Sequence, residues 1–263
     1  MTHATYLTLN VRREGTVLVI GLNRPDKHNA FNRAMINELA TVLGMLDRDP
    51  GLRAGVLYGE GRSFTSGLDL PDVVPSLQKG SLQIPDGGIN PWQVDGQRLT
   101  KPLVAAVHGK CLTLGIELAL AADVVVCTVD ATFAQLEIAR GIYPFGGATL
   151  RFPAVAGWGN AMRWMLTAEE FDAAEAFRIG IVQEIVPEDT HVQRAVELAQ
   201  VIAAQAPLGV QATLHSARLA RRESEAAAEA ELVPTVVQLF GTEDARIGME
   251  SFFTRRTAQF VGR

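Results

Sequence analysis

Short apolar runs rich in β-branched side chains recur through most of this chain, and each is followed by a turn or a glycine-punctuated loop and often by a stretch with helical spacing. Few folds satisfy that rhythm. Runs with no polar alternation must be covered on both faces, so strands alternating with helices specify a mixed α/β core. Residues 6–13 and 16–23 meet at Glu14-Gly15 and predict a hairpin. A helix is expected over residues 33–47, where Met35, Ile36, Leu39, Val42, Leu43 and Leu46 share one face, and Asp49-Pro50-Gly51 stops it. Further strands are expected at 55–58, 103–107, 124–127 and 182–186.

From Glu188 the pattern turns helical, with a helix near 193–205, a break at Pro207, a long helix over 208–232 and a last one within 243–260. The predicted division is therefore an α/β core, 1–187, and a helical region, 188–263. Residues 81–92 (SLQIPDGGINPW) are rich in Gly and Pro and predict a mobile loop. The run Arg218, Arg221, Arg222, Glu223, Glu225, Glu229 and Glu231 is read as the solvated side of a helix.

The chain has 263 residues, a formal charge of −5 and no Lys/Arg run. Binding to nucleic acid, which requires many phosphates to be neutralised together, is not expected. Cys111 and Cys127 lie in apolar surroundings and are read as buried thiols, not as a disulfide or zinc framework. The N-terminus carries no basic-then-apolar leader, and no apolar run approaches the ~20 residues of a membrane helix. A reducing, cytoplasmic setting with no membrane partner is the expectation.

Two carboxylates stand in apolar company, Glu117 in LTLGIELALAAD and Glu137 in TFAQLEIARG. A helical reading turns each toward the packed side. Burying a carboxylate is costly unless it is hydrogen-bonded, paired or neutralised, so each either serves a structural bond or belongs to an acid–base pair. Two loops, GEGRSFTSGLDL and HGKCLTLGIE, follow adjacent predicted strands and could aim backbone amides at one oxyanion. Neither matches a phosphate-binding fingerprint. Ser63 and Ser66 lack a nucleophile elbow, His108 is read as a strand-end residue, and His3, His28, His191 and His215 have no acid predicted beside them.

The ordered blocks NRPDKHNAF, SFTSGLDL, TKPLVAAVHGKCLTLGIELALAADVVV, ATFAQLEIARGIYPFGGATLRF and MESFFTRRTAQF resemble the crotonase (enoyl-CoA hydratase/isomerase) superfamily over essentially the whole chain. The resemblance implies a spiral of ββα units, a C-terminal helical region that forms trimers or hexamers, and an acyl-coenzyme A thioester as substrate. No metal is implied, and coenzyme A enters only as part of the substrate. By position, the amides of Leu68 and Leu114 would form the oxyanion hole, and Glu117 and Glu137 would be the hydratase carboxylates. Lys27, Ala30, Ser66, Asp69, Leu70, Pro71, Phe145, Phe252 and Arg255 would contact substrate, Phe252 and Arg255 from a neighbouring subunit. The chain departs from the family pattern in having Leu114 and Phe145 where Gly is usual, Leu68 where Ala is common and Pro71 where many members have Lys. Hydration of a 2-enoyl-CoA is the implied reaction. Double-bond isomerisation, dehydration, thioester hydrolysis or silent acyl-CoA binding are the alternatives.

Overall fold

The computed structural model describes residues 6–80 and 82–263; His3 and Ser81 lie outside the described residues. Strands β1 (Leu9–Glu14) and β2 (Val17–Leu22) form the expected hairpin, with Gly15 at φ +61° in its turn. Helix α1 (Arg33–Arg48) starts where the Asn32 side chain accepts from the Met35 amide at 2.9 Å, an N-cap that satisfies one of the orphan first-turn donors. Then follow β3 (Ala54–Gly59), α2 (Leu70–Leu77), β4 (Leu103–Val107), β5 (Lys110–Leu112), α3 (Leu114–Ala119), β6 (Val124–Thr128) and β7 (Thr132–Ala134). The remaining elements are α4 (Ala148–Ala156), α5 (Trp158–Thr167), β8 (Glu170–Asp172), α6 (Ala173–Arg178), β9 (Glu184–Val186), α7 (His191–Ala203), α8 (Pro207–Arg222), α9 (Glu225–Phe240) and α10 (Glu243–Thr254).

The main sheet has the order β1-β2-β3-β4-β6-β9 and is parallel from β2 onward. Successive side chains point to opposite faces. Ile20, Leu57 and Ala105 join the core under α1, while Val19, Val56, Val104 and Val126 meet Ala195, Val196 and Ala199 of α7. Both faces are thereby covered, as the uniformly apolar runs require. The first helix of the 188–263 region is thus a layer of the sheet core. A smaller sheet, β5-β7-β8, branches off beside the C-terminal ends of β3 and β4. Two isolated bridges, Ser63 with Gly109 and Thr65 with Cys111, tie the loop after β3 to the chain after β4.

Several expectations are corrected. Among the described residues of 81–92, Ile89 and Trp92 are buried, so the segment is an anchored strap and not a mobile loop. The Trp92 indole packs edge-on against Phe31 at 5.3 Å, and its Nε1 donates to the Leu114 carbonyl at 2.9 Å. The long helix over 208–232 is two, because Ser224 caps α9 by accepting from the Ala227 amide. Arg218 is not solvated: it pairs with Asp123 at 2.7 Å and donates to the Leu99 carbonyl. His215 does face an acid, Glu231, at 2.8 Å. Cys111 and Cys127 are free and buried, and burial pushes both thiols up, Cys127 to about 12.

Replacing Trp92 with Ala removes a side chain only 2% exposed together with its bond to Leu114. The expected cost is ~3–5 kcal/mol, read as a lower midpoint in urea-induced unfolding with an unchanged slope.

Candidate active site

The loop after β3 runs through Ser63 to Leu68 and is fixed at both ends of its last residue. Phe31 donates its amide to the Gly67 carbonyl at 2.7 Å, and Asp69 donates to the Phe31 carbonyl at 2.9 Å. In such a parallel bridge the flanking residues make the bonds, so the intervening Leu68 N–H faces the other way. The second loop passes from β5 through Thr113 into α3. Thr113 donates its amide to the Ala134 carbonyl at 2.8 Å, and its own carbonyl accepts from Ile116 at 2.9 Å. Leu114 is the first residue of α3, where an amide has no partner within the helix. Among the described residues, neither Leu68 nor Leu114 gives its N–H to a protein acceptor.

Both residues line one cavity of about 380 Å³ with Ser66, Leu70, Thr113, Glu137 and Phe145, and with Leu112, Leu136, Arg140 and Ile142. Glu117 lies one turn beyond Leu114 and is 0% exposed. Its Oε1 accepts from the Ala148 amide at 2.8 Å, while Oε2 is buried with no partner. Gly146 covers that second oxygen; a Cβ there would come within 2.8 Å of Oε2 and 2.4 Å of Leu114 Cδ2. A side chain at position 146 would therefore seal or displace the carboxyl. Glu137 does not sit on a longer helix, contrary to the sequence reading. It follows β7 and opens a single 3-10 turn, Ile138–Arg140. It is 4% exposed; Oε1 accepts from Gln135 Nε2 at 3.2 Å and Oε2 is unpartnered.

Burial drives both carboxyls up to about 7. Backbone donors around Ala148 and the Arg151 guanidinium restrain the rise at Glu117, whereas the charge of Glu117 adds to the rise at Glu137. Two carboxyls raised in this way, each with one unused oxygen, form a pair that can hold a proton on one member and accept one on the other.

The other expected contacts are less concentrated. Lys27 is exposed on the turn Pro25–Lys27, and the Ala30 carbonyl is taken by Arg24. Arg24 also holds Asp69 at 2.9 Å, so that Asp braces the loop. Pro71 is exposed in the first turn of α2, a position where its missing N–H costs nothing. Phe252, 80% exposed, and Arg255 lie at the end of α10 and do not line the cavity within the chain. His28 Nδ1 lies 3.0 Å from Ser63 Oγ, and among the described residues no carboxylate is hydrogen-bonded to His28 to complete a triad. Thr113, Arg140 and Ile142 escaped the sequence reading; only their nearness to Leu114 and Glu137 could have pointed to them.

The sequence model of the enoyl-CoA hydratase/isomerase family matches residues 12–263. The chain belongs to this family. Over 96% of each chain it is 33% identical to an enoyl-CoA hydratase of Mycobacterium tuberculosis. It is 34% identical to the 2,3-dehydroadipyl-CoA hydratase of Escherichia coli, over 97% of this chain and 99% of that one. A crystal structure of a probable enoyl-CoA hydratase/isomerase from Mycobacterium abscessus superimposes with a TM-score of 0.96 at 66% identity, covering 98% of this chain and 100% of the other.

The raised carboxyls carry a stability consequence. Between the ordinary carboxylate range and about 7, the folded protein keeps protons that the unfolded chain has released, so stability falls as pH rises through that window. Glu117→Gln removes one such ionisation. Relative to the difference at about pH 4, it should gain ~1–3 kcal/mol on the parent protein at about pH 8, measured by denaturant titration.

Proposed function

We propose that this protein adds water across the double bond of a 2-enoyl-CoA thioester. The observation that carries the reading is a cavity lined by two free amides and Glu137, with Glu117 buried one turn beyond Leu114 and both carboxyls raised to about 7. The Leu68 and Leu114 N–H groups bind the thioester oxygen, where negative charge grows as water attacks the β-carbon. Donors already fixed by the bridge to Phe31 and the bond to Ala134 need no reorganisation at that moment, and each contributes ~3–4 kcal/mol to the barrier reduction. Glu117 takes a proton from the attacking water, and the oxygen bonds to the β-carbon. Glu137 gives a proton to the α-carbon as the enolate collapses. The net change is one water added, and the two carboxyls exchange protonation states.

Leu114 and Phe145 wall the acyl end of the cavity with apolar side chains. Lys27 and the Ser66–Pro71 segment are the coenzyme contacts in this reading. Val233, Val236, Val237, Phe240, Met249, Phe252 and Phe253 are exposed on α9 and α10, an apolar surface large enough to mark a subunit interface, while Leu239 is partly covered. The working form is a homotrimer or homohexamer in the cytoplasm. There Phe252 and Arg255 reach a neighbour's coenzyme A, Arg255 as a phosphate contact.

Purified protein assayed against 2-enoyl-CoA esters should show loss of the conjugated-thioester absorbance. Glu117→Gln and Glu137→Gln should each slow it by ~10²–10⁴-fold. Full activity in both variants contradicts the mechanism, and an inert parent protein that still binds coenzyme A esters contradicts the reaction. Removal of residues 243–263 should weaken both assembly and coenzyme A affinity in light-scattering and binding measurements; an active monomer at micromolar concentration would refute the shared site.

A further inference from the structure

Thr113 occupies a backbone conformation that its side chain disfavours. At φ +53° and ψ −120° it is a β-branched residue in a region where such residues are genuine outliers, at a cost of ~1–3 kcal/mol. Capping does not account for it, because the side chain makes no cap bond to α3. The conformation is imposed by the turn from β5 into α3, pinned by the bond from the Thr113 amide to Ala134.

A sharp strand-to-helix turn of this kind thrusts one side chain forward beside the amide of the next residue, as at a nucleophile elbow. The next residue here is Leu114, whose amide is free. On its other side the hydroxyl lies against the loop carrying the second free amide. A Cβ on Gly67, the residue before Leu68, would fall 1.8 Å from Thr113 Oγ1. Gly67, at φ +94°, is thus required by both its own backbone and the threonine. The hydroxyl consequently sits between the two peptide segments whose N–H groups lack acceptors. It makes no hydrogen bond to the described protein, it is not among the sealed-off polar atoms, and its residue lines the cavity with Glu137.

We propose that the Thr113 hydroxyl is a catalytic hydrogen-bond donor, giving the thioester oxygen a third donor beside the Leu68 and Leu114 amides. The proposal rests on the 2-enoyl-CoA reading. A hydroxyl rotates freely and can follow the oxygen as it changes from carbonyl to enolate, a freedom that the two fixed amides lack. The strain persists because relaxing the turn would move both this hydroxyl and the Leu114 amide.

The test uses the full-length protein with Thr113→Val, which keeps the branch and volume but loses the donor, and Thr113→Ser, which keeps the donor. Steady-state rates are measured alongside the absorbance shift of a bound conjugated dienoyl-CoA, which reports polarisation of the carbonyl. Thr113→Val should lower kcat by about ten- to a hundred-fold with little change in KM and should shrink the red shift, while Thr113→Ser stays within a few-fold of the parent. Should Thr113→Val fail to fold, Thr113→Gly, which relieves the strain, must show the same loss of rate and shift. Parental kcat and red shift in the donor-less variant overturn the proposal, as does equal impairment of Val and Ser. An inactive parent protein without any red shift overturns the underlying reading as well, so the two failures differ.

Discussion

Lateral tethering of the loop after β3 to the chain after β4 is the constraint on which the site depends. Neighbouring parallel strands bring the two loops side by side, and the bridges Ser63–Gly109 and Thr65–Cys111 lock them together. Phe31 then uses the bonds flanking Leu68, and Ala134 uses the Thr113 amide. The Leu68 and Leu114 donors are left over because every bond around them is committed elsewhere. Such left-over amides survive a change of side chain, so leucines can replace smaller residues without deleting the donors.

The carboxyls follow a complementary logic. Packing α3 against the Gly146-Gly147 turn takes Glu117 out of water and gives it one short amide bond, from Ala148, with further backbone donors at Gly146 and Gly147 nearby. Desolvation outweighs these donors and the Arg151 guanidinium, and the proton affinity rises. Glu137 is raised to the same range by burial and by the charge of Glu117, with its own backbone amide and Arg140 restraining the rise. The fold therefore accepts lower stability at neutral pH in return for two groups able to exchange protons there. Backbone strain at Thr113 is a second local cost, at the start of the helix that carries Glu117.

Legibility in the sequence tracks the length over which a pattern repeats. Helix α1 and strands β2, β3 and β4 were readable because several side chains in each share one period. Strands β5, β7 and β8 span three residues apiece, too few to establish alternation, and the small sheet that holds Thr113 and Glu137 was therefore invisible. Helix α2 was masked by Pro71 and Pro75, since proline reads as a breaker although one at a helix start is harmless. Glycine and proline around Trp92 likewise hid the anchoring role of its indole. Glu117 and Glu137 stood out as carboxylates in apolar company, whereas the ordered blocks of the family resemblance were needed to fix Leu68 and Leu114 and to give the carboxyls their roles. The strain at Thr113 is a backbone property that no residue type announces.

The pH dependence of kcat/KM for 2-enoyl-CoA hydration tests the central claim most directly, because the account makes one carboxyl a base and the other an acid near pH 7. A profile with an optimum near neutrality and a fall on both sides is the predicted result. Rates that stay flat from about pH 5.5 to about pH 9, with any ionisation confined to the ordinary carboxylate range, would contradict it.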